Sequence, residues 1–293
     1  MHPGKKRGVL FAVLAAVFYA LNSPVSKLLL GSIPPAMMAA FLYLGAGLGM
    51  ALIQPILNRR QNVPQEDRLT RRELPWTLMM IVLDIAAPIS LMLGINLTSA
   101  ATASLLNNFE IVTTSLIALL FFRERISGKL WLGIGLVTLS AFLLSMEDIG
   151  GFTLSPGALF VLLACLCWGL ENNCTRRLSS KNPVQIVVIK GIFSGLGALI
   201  VAFLSGENLP ALWRILPALC LGFVAYGLSI VCYIYAQREL GAAKTSAYYA
   251  IAPFIGVLLS LVIFLEMPSP WFFAALVIMI LGTWLVTAAD CAE

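Results

Sequence analysis

Apolar runs long enough to cross a bilayer recur along the whole chain. A hydrocarbon core of about 30 Å needs roughly 20 apolar residues in helical form, and short polar loops separate ten such runs. The predicted spans are Gly8–Leu30, Pro34–Leu57, Leu74–Leu93, Ser99–Phe122, Gly128–Met146, Pro156–Leu178, Pro183–Leu204, Leu212–Gln237, Ala242–Leu265 and Pro270–Ala289. The pattern predicts an all-α integral membrane protein with ten transmembrane helices.

The composition agrees with this pattern. Hydrophobic residues make up 60% of the 293 positions and charged residues only 11%, with a mean hydropathy of +0.93. A soluble domain carries about 25% charged residues. Such a chain cannot cover itself with a polar surface, so its main partner is the lipid bilayer, and one polytopic bundle fits its length better than two soluble domains.

Basic residues predict the orientation, because Lys and Arg accumulate in cytoplasmic loops. Sixteen of the 19 basic residues fall in loops on the N-terminal side of the predicted bundle, and only Lys27 and Arg214 fall on the other side. This split predicts a multi-pass protein of the inner membrane with both termini in the cytoplasm. The net charge of +5 therefore indicates topology and no nucleic-acid partner. The first run exceeds the 7–15-residue core of a signal peptide, so we expect a retained helix.

The motifs of several function classes are missing from the sequence. It has no G-x-x-x-x-G-K-[ST], no H-E-x-x-H and no G-x-S-x-G, and His2 is the single histidine. The cysteines show no metal-site spacing, and five of them lie inside apolar runs. We therefore expect no enzyme activity, no ATP hydrolysis, no cofactor and no metal.

Two stretches of the first half recur in the second. Residues Gly8–Ala15 align with Gly157–Ala164 at Gly, Leu, Phe, Leu and Ala, and Ser99–Ser104 aligns with Gly241–Ser246. At the second offset the further matches are Glu124 with Glu266 and Ser127 with Ser269. Since each half holds five predicted helices, an odd number, the halves enter the membrane from opposite sides. The sequence thus predicts inverted repeats over residues 1–150 and 151–293, with a substrate site near the midplane.

The Ala-Ala-x-x-Ser block that opens helices four and nine, the glutamates that end them and the five-plus-five layout resemble the drug/metabolite transporter superfamily, EamA type. The resemblance covers nearly the whole chain and implies a ten-helix carrier with a central cavity lined by helices 1, 3, 4, 6, 8 and 9. Helices 5 and 10 are then peripheral. The family pattern has a proline in the middle of helices four and nine. Pro253 supplies the second, whereas Glu110 or Ile111 stands at the first.

Four charged side chains fall inside predicted membrane helices: Asp84, Glu110, Glu171 and Lys190. A charge at the centre of such a helix costs about 2.5–3.5 kcal/mol on insertion scales, so it normally faces a cavity and marks function. Glu171 and Lys190 both fall roughly 10 Å from the cytoplasmic face at 1.5 Å rise per residue. This depth predicts an ion pair, which serves either function or only the locking of helices six and seven.

Asp84 and Glu110 are both expected about 15 Å from their helix starts, near one midplane. Two carboxylates in one low-dielectric cavity repel each other when ionised, so one tends to hold a proton, as a proton-coupled carrier requires. The alternative is that each is neutral and bonded to Asn or Ser neighbours. Three acids against one base favour a cation, an amine or protons over an anion.

Polar and aromatic residues surround these charges at helical spacing. Ala103, Asn107, Glu110 and Thr114 share a face of helix four, and Tyr19, Asn22 and Ser26 share a face of helix one. The aromatic candidates for stacking on a ring or a cation are Trp168, Tyr226, Tyr248 and Tyr249. Aromatic side chains also simply pack or lie at membrane interfaces. Glycines such as Gly191 and Gly195 are expected to let helices pack closely.

Together these features predict a secondary active transporter that exports a small amino-acid-like or amine metabolite, with protons as the coupling ion and alternating access as the mechanism. Its partners are a small-molecule substrate and the bilayer, and it is a monomer or homodimer. The alternative function is a lipid-handling or structural membrane protein, for which a groove open sideways to lipid would be expected.

Overall fold

A computed structural model describes residues 3–60, 69–122, 128–148, 153–178, 181–240, 245 and 248–290, and nearly all of them are helical. The helices are α1 (Pro3–Ala20), α2 (Asn22–Leu30), α3 (Pro35–Arg60), α4 (Leu74–Leu97), α5 (Ala100–Leu106), α6 (Phe109–Phe122), α7 (Gly128–Ser145), α8 (Pro156–Leu178), α9 (Pro183–Leu204), α10 (Leu212–Gly222), α11 (Ser229–Leu240), α12 (Ala252–Phe264) and α13 (Pro270–Asp290). A 3₁₀ turn at Arg71–Glu73 precedes α4, and a π-helical segment, Phe223–Leu228, joins α10 to α11. The short antiparallel strands β1 (Met146–Asp148) and β2 (Thr153–Leu154) follow α7.

Seven helices in the described part of the chain are long and apolar enough to cross a membrane. They cover Lys6–Leu30, Pro35–Pro55, Arg71–Leu97, Gly128–Ser145, Pro156–Thr175, Pro183–Leu204 and Leu212–Ala236. The shorter apolar helices Ala252–Phe264 and Pro270–Val286 follow. The chain is therefore a helical, multi-pass membrane protein, and the predicted spans Pro156–Leu178 and Pro183–Leu204 coincide with α8 and α9.

Three spans that the sequence pattern predicts as continuous are interrupted, and one of them, Ala242–Leu265, breaks at Ala250 and Ile251. Gly8–Leu30 breaks at Leu21, because Pro24 has no N–H for the carbonyl of Ala20. Ser99–Phe122 breaks at Asn107 and Asn108, where the Asn108 side chain donates to the Leu105 carbonyl (3.4 Å) and so competes with the helix ladder. Hydropathy does not register such breaks, since the runs remain apolar on either side.

Part of the predicted repeat lies outside the described residues. This applies to Glu124, Ser127, Ser246 and the segment 241–244, and to the loop residues Arg68, Arg123 and Arg125. The predicted span Ala242–Leu265 is described from residue 248 onward, with Thr245 before it.

Helices from the first half of the chain pack against helices from the second half. The pairs are α1 with α11, α3 with α9, α4 with α8, α5 with α12, and α7 with α13. The largest group of buried apolar side chains lies between these pairs and includes Met37, Leu42, Leu91 and Met92. The interface between the two halves is therefore the core of the protein.

Small residues make the closest of these contacts possible. A Cβ placed on Gly47 of α3 would lie 2.8 Å from the carbonyl carbon of Gly191 in α9, and one on Gly195 would lie 2.8 Å from the backbone nitrogen of Leu44. Without a hydrophobic driving force between helices in lipid, such close backbone packing stabilises the association. The predicted packing role of Gly191 and Gly195 is confirmed.

The basic residues predicted on the non-cytoplasmic side make contacts within the protein. Lys27 donates to the carbonyls of Ile95 (2.6 Å), Asn96 (3.1 Å) and Thr98 (2.6 Å) at the end of α4, where a cation complements the helix dipole. Arg214 donates to the Ser32 carbonyl (3.3 Å). These two departures from the charge asymmetry thus have structural partners.

Replacing Gly47 by Val should separate α3 from α9 and lower the stability of the purified protein by about 1–3 kcal/mol, the usual cost of overpacking. The matched control is Gly135→Val on α7, where an added Cβ meets no atom within 4 Å. Thermal melting in detergent measures both. Equal melting temperatures for the two variants would contradict the packing role of Gly47.

Candidate functional site

A buried lysine lies between two buried carboxylates in the core. The Nζ of Lys190 is 3.0 Å from Oδ2 of Asp84 and 3.0 Å from Oε1 of Glu171. The side chains of Asp84, Glu171 and Lys190 are 0%, 3% and 10% exposed. We call these three residues the charged cluster. The predicted ion pair between Glu171 and Lys190 is present, and it has a third member.

The packing of four helices brings the cluster together. Asp84 lies on α4, Glu171 on α8 and Lys190 on α9, and α4 packs against both α8 and α9. Lys190 precedes Gly191, the residue that allows α9 to approach α3. The cluster thus joins one helix of the first half to two helices of the second.

Hydrogen bonds from uncharged neighbours hold the two carboxylates. The hydroxyl of Tyr43, on α3, donates to Oδ1 of Asp84 (2.8 Å) and accepts from the indole nitrogen of Trp168 (3.4 Å). The hydroxyl of Thr175 donates to Oε1 of Glu171. Because a buried charge is tolerated only when it is paired and hydrogen-bonded, these neighbours are part of the site.

Asp84 and Glu110 have separate hydrogen-bond partners, and the bond of Glu110 to an Asn is the kind that the alternative to a shared proton expects. Asp84 bonds to Lys190 and Tyr43, whereas Glu110 accepts from the side-chain amide of Asn172 (2.7 Å). Asn172 also donates to the hydroxyl of Thr114 (3.3 Å). A depth computed from residue rise assumes straight helices along the membrane normal, and the break before Glu110 invalidates that assumption for helix four.

Glu110 differs from the cluster in its surroundings. It is partly accessible, at the first turn of α6, and none of the described Lys or Arg side chains lies within ion-pair distance of its carboxylate. Asn172, its hydrogen-bond donor, directly follows Glu171 in α8. Among the described residues Glu110 thus has no basic partner, and its donor Asn172 is one residue along the chain from Glu171 of the charged cluster.

A row of tyrosines lies beside the charges. The ring centroid of Tyr226 lies 5.1 Å from that of Tyr43 and 5.9 Å from that of Tyr19. The ring centroids of Tyr19 and Tyr249 lie 5.8 Å apart. Asn22 donates to the hydroxyl of Tyr226 (3.0 Å). The row therefore connects the charged cluster, through Tyr43, to the broken first helix.

The other sequence candidates divide between inside and outside. Asn107 is buried (6% exposed) at the break between α5 and α6, and Trp168 is buried at 6%. Tyr248 is 39% exposed and makes no ring contact with the tyrosine row in the part of the chain that the structure describes. Of the aromatic candidates, the structure thus places Trp168, Tyr226 and Tyr249 in contact with Tyr43 or Tyr19 and leaves Tyr248 outside.

Three residues of the site were missed by the sequence reasoning: Tyr43, Thr175 and Asn172. Thr175 is four residues after Glu171, so helical spacing could have identified it. Asn172 is adjacent to a candidate in the sequence but belongs to the neighbouring Glu110 site. For Tyr43 no local signal exists, because its partner Asp84 is on another helix.

Comparison with known proteins identifies relatives over almost the whole chain. The sequence profile of the EamA-like transporter family matches residues 6–146 and again residues 155–288. An uncharacterized transporter of Methanothermobacter thermautotrophicus is 27% identical over 275 residues, covering 88% of this chain and 80% of the relative. The uncharacterized inner membrane transporter YedA of Escherichia coli K12 is 25% identical over 257 residues, covering 85% and 81%.

A solved crystal structure shares the fold. It superposes with a TM-score of 0.67 at 17% identity and covers 96% of both chains. At this identity the likeness concerns the fold alone.

Replacing Lys190 by Met should strongly destabilise the protein, because it leaves two buried carboxylates without their cation. Removing one partner of a buried ion pair costs about 3–5 kcal/mol. The triple variant Asp84→Asn, Glu171→Gln, Lys190→Met removes all three charges and should recover most of that loss. Thermal melting of the purified variants measures both effects, and a triple variant less stable than Lys190→Met would contradict the pairing.

Proposed function

The chain belongs to the EamA-like transporter family, and we propose that it is a secondary active transporter, a proton-coupled exporter of small amino-acid-like or amine metabolites that works by alternating access. The observation that carries the proposal is the charged cluster of Asp84, Lys190 and Glu171, buried where helices of both halves meet. A buried ion pair is often no more stable than apolar packing. Its retention at this place therefore favours a functional role.

Glu110 is the proposed proton carrier. An ionised carboxylate without a basic partner is costly in a low-dielectric interior, so the neutral form is favoured. Glu110 is partly accessible, and its amide partner Asn172 can serve a neutral or an ionised carboxyl group because it donates through Nδ2. Lys190 instead balances one of the two negative charges of Asp84 and Glu171 and holds the helices in register.

The charge balance supports a cationic substrate and its export. With all groups ionised, the cluster and Glu110 carry three acids and one base, so the site attracts cations. A carboxylate that holds either a proton or an ammonium group, but not both, exchanges one for the other. Across an inner membrane with an acidic exterior, inward proton flow then drives the amine outward.

Two inverted halves, residues 1–150 and 151–293, form the proposed ten-helix carrier. The double match of the family profile supports a duplication. The helix pairs support it too. If the ten predicted spans are numbered in chain order, the packing of α1 on α11 pairs span one with span eight. The packing of α8 on α4 pairs span six with span three. Exchanging the halves converts one pair into the other. Rocking of such halves about a midplane site is how inverted-repeat carriers alternate access.

The inner membrane is the proposed location, with both termini in the cytoplasm. The loop charges support the orientation, and the relative YedA carries the description of an inner membrane transporter.

Glu110→Gln should remove proton coupling while leaving substrate exchange. The change keeps the size and the hydrogen bond to Asn172 but cannot take up or release the proton. In proteoliposomes, we expect accumulation of a labelled amine driven by a pH gradient to fall at least about tenfold, the factor that corresponds to 1.4 kcal/mol. Exchange of labelled for unlabelled amine without a gradient should persist.

Glu239→Gln, at an exposed position near the end of α11, is the matched control and should accumulate amine like the unmodified protein. Gradient-driven accumulation that survives in Glu110→Gln would exclude Glu110 from coupling. Wild-type protein that moves no amine or amino acid would contradict the proposed function itself.

The proposed topology predicts that two reporter fusions on opposite sides of the membrane are both active. Green fluorescent protein fused after the last residue should fluoresce, because that end lies in the cytoplasm. Alkaline phosphatase inserted between α9 and α10, in the loop 205–211, should be active, because that loop faces the periplasm. An inactive phosphatase at this loop combined with a dark carboxyl-terminal fusion would reverse the orientation.

A further inference from the structure

Three interrupted helices converge on one small cavity, which we call the seam cavity. Its lining residues are Tyr19, Ala20, Ser23, Ser104, Asn107, Ala252, Pro253 and Gly256. They come from the break between α1 and α2, the break between α5 and α6, and the start of α12. Irregular backbone at membrane depth is tolerated only where it is buried in protein or lines a water-filled cavity, so the convergence of three breaks indicates a site.

Two side-chain oxygens in this cavity have no hydrogen-bond partner among the described residues: Oγ of Ser104 and Oδ1 of Asn107. The two residues are only 2% and 6% exposed. An unsatisfied buried polar atom loses the hydrogen bonds that it would make with water, so a native protein rarely leaves two of them together. The lone pairs of these two oxygens can accept a hydrogen bond or coordinate a cation.

The backbone adds a third oxygen. A Cβ built on Gly256 would lie 2.8 Å from Oγ of Ser104 and 3.3 Å from the carbonyl oxygen of Ala20. In a regular helix the N–H of the residue four positions later donates to such a carbonyl. Here that residue is Pro24, which has no N–H. The absence of a side chain at Gly256 thus keeps open the space that these two oxygens face.

Resting on the proposed amine transport, we propose that the seam cavity binds a small desolvated cation through neutral oxygens: either the ammonium group of the substrate, at a stage separate from its exchange with the proton of Glu110, or a free sodium ion. No described residue of its lining carries a charge, so no basic side chain favours an anion there. At the start of α12, Pro253 offers no N–H to an anion.

The size and the aromatic wall fit the same ligand. The cavity volume is ≈ 10 Å³, about the least that holds one water molecule, so a primary ammonium head or a sodium ion fits and a quaternary ammonium does not. Tyr19 lines the cavity, and a tyrosine ring attracts a cation over its face.

A second cavity lies along the same two helices as the seam cavity. It has a volume of ≈ 270 Å³ and is lined by α5 at Ser99–Thr102 and by the end of α12 at Ser260, Leu261 and Phe264, with Glu266 beyond. Both cavities thus lie along the same pair of helices, α5 and α12. In the proposed topology the larger one opens to the non-cytoplasmic side, and the carboxylate of Glu266 at its mouth attracts cations.

The test is a set of cation titrations of the full-length protein in detergent, read as a change in melting temperature. Sodium chloride, methylammonium chloride and choline chloride are compared at equal ionic strength. We expect methylammonium, sodium or both to raise the melting temperature by at least about 2 °C, since a ligand that binds only the folded state stabilises it. Choline should give no rise.

Two variants assign the effect to the cavity. Ser104→Ala removes one oxygen and should weaken the apparent affinity for the cation about tenfold, and Gly256→Ala fills the space and should abolish the rise. Ser115→Ala is the matched control, because the Ser115 hydroxyl bonds to the Ile111 carbonyl of its own helix (2.8 Å), and it should behave as wild type.

A response to methylammonium alone assigns the site to the ammonium of the substrate, and a response to sodium assigns it to a free ion. The proposal is overturned if neither sodium nor methylammonium raises the melting temperature of the wild type beyond the rise in choline. It is also overturned if the rise is unchanged in Ser104→Ala. If Gly256→Ala does not fold, the Ser104→Ala result alone decides. Amine transport without a cation-specific rise in melting temperature would contradict the seam site but not the proposed carrier function. A cation-specific rise without amine transport would contradict the carrier function but not the seam site.

Discussion

A lysine held between two carboxylates inside a membrane protein constrains everything around it. Removing these groups from water costs several kcal/mol for each ion, and only close pairing with further hydrogen bonds recovers it. Lys190 must therefore stay within about 3 Å of Asp84 and Glu171. Tyr43 and Thr175 complete the bonding of the acids, and Gly191 lets α9 lie against α3. The four helices can therefore pack in this way only if the three charges lie where they do.

The region beside the cluster follows a different rule. There the chain gives up helical hydrogen bonds, at Pro24 and at Asn107–Asn108, and places oxygens of Ser104 and Asn107 in a small cavity. An ion-paired cluster and a neutral cavity with unpaired oxygens differ in what they can do. The first holds helices of both halves together, and the second has capacity left for a ligand. Glu110 begins the helix turn that follows the break and connects the two regions.

Hydropathy and charge predicted the membrane class and most helix boundaries, because both depend on a one-dimensional property of each segment. Prolines at Pro156 and Pro183 even marked the first residues of α8 and α9. The ion pair of Glu171 and Lys190 follows from depth, since both helices are uninterrupted over that stretch. The partner of Asp84 did not, because depth alone cannot choose between Lys190 and Glu110 without the rotation and tilt of each helix. The contact between Tyr43 and Asp84, and the meeting of three breaks, arise only from tertiary packing.

Proton release on amine binding tests the coupling role of Glu110 most directly. Purified protein in weakly buffered detergent solution is mixed with an amine that raises its melting temperature, and a pH-sensitive dye records the protons released. If Glu110 holds a proton that the amine displaces, about one proton should appear per bound amine, as expected for one carboxyl group that changes its ionisation state, and none in Glu110→Gln. Amine binding without any proton release from the unmodified protein would contradict the exchange mechanism.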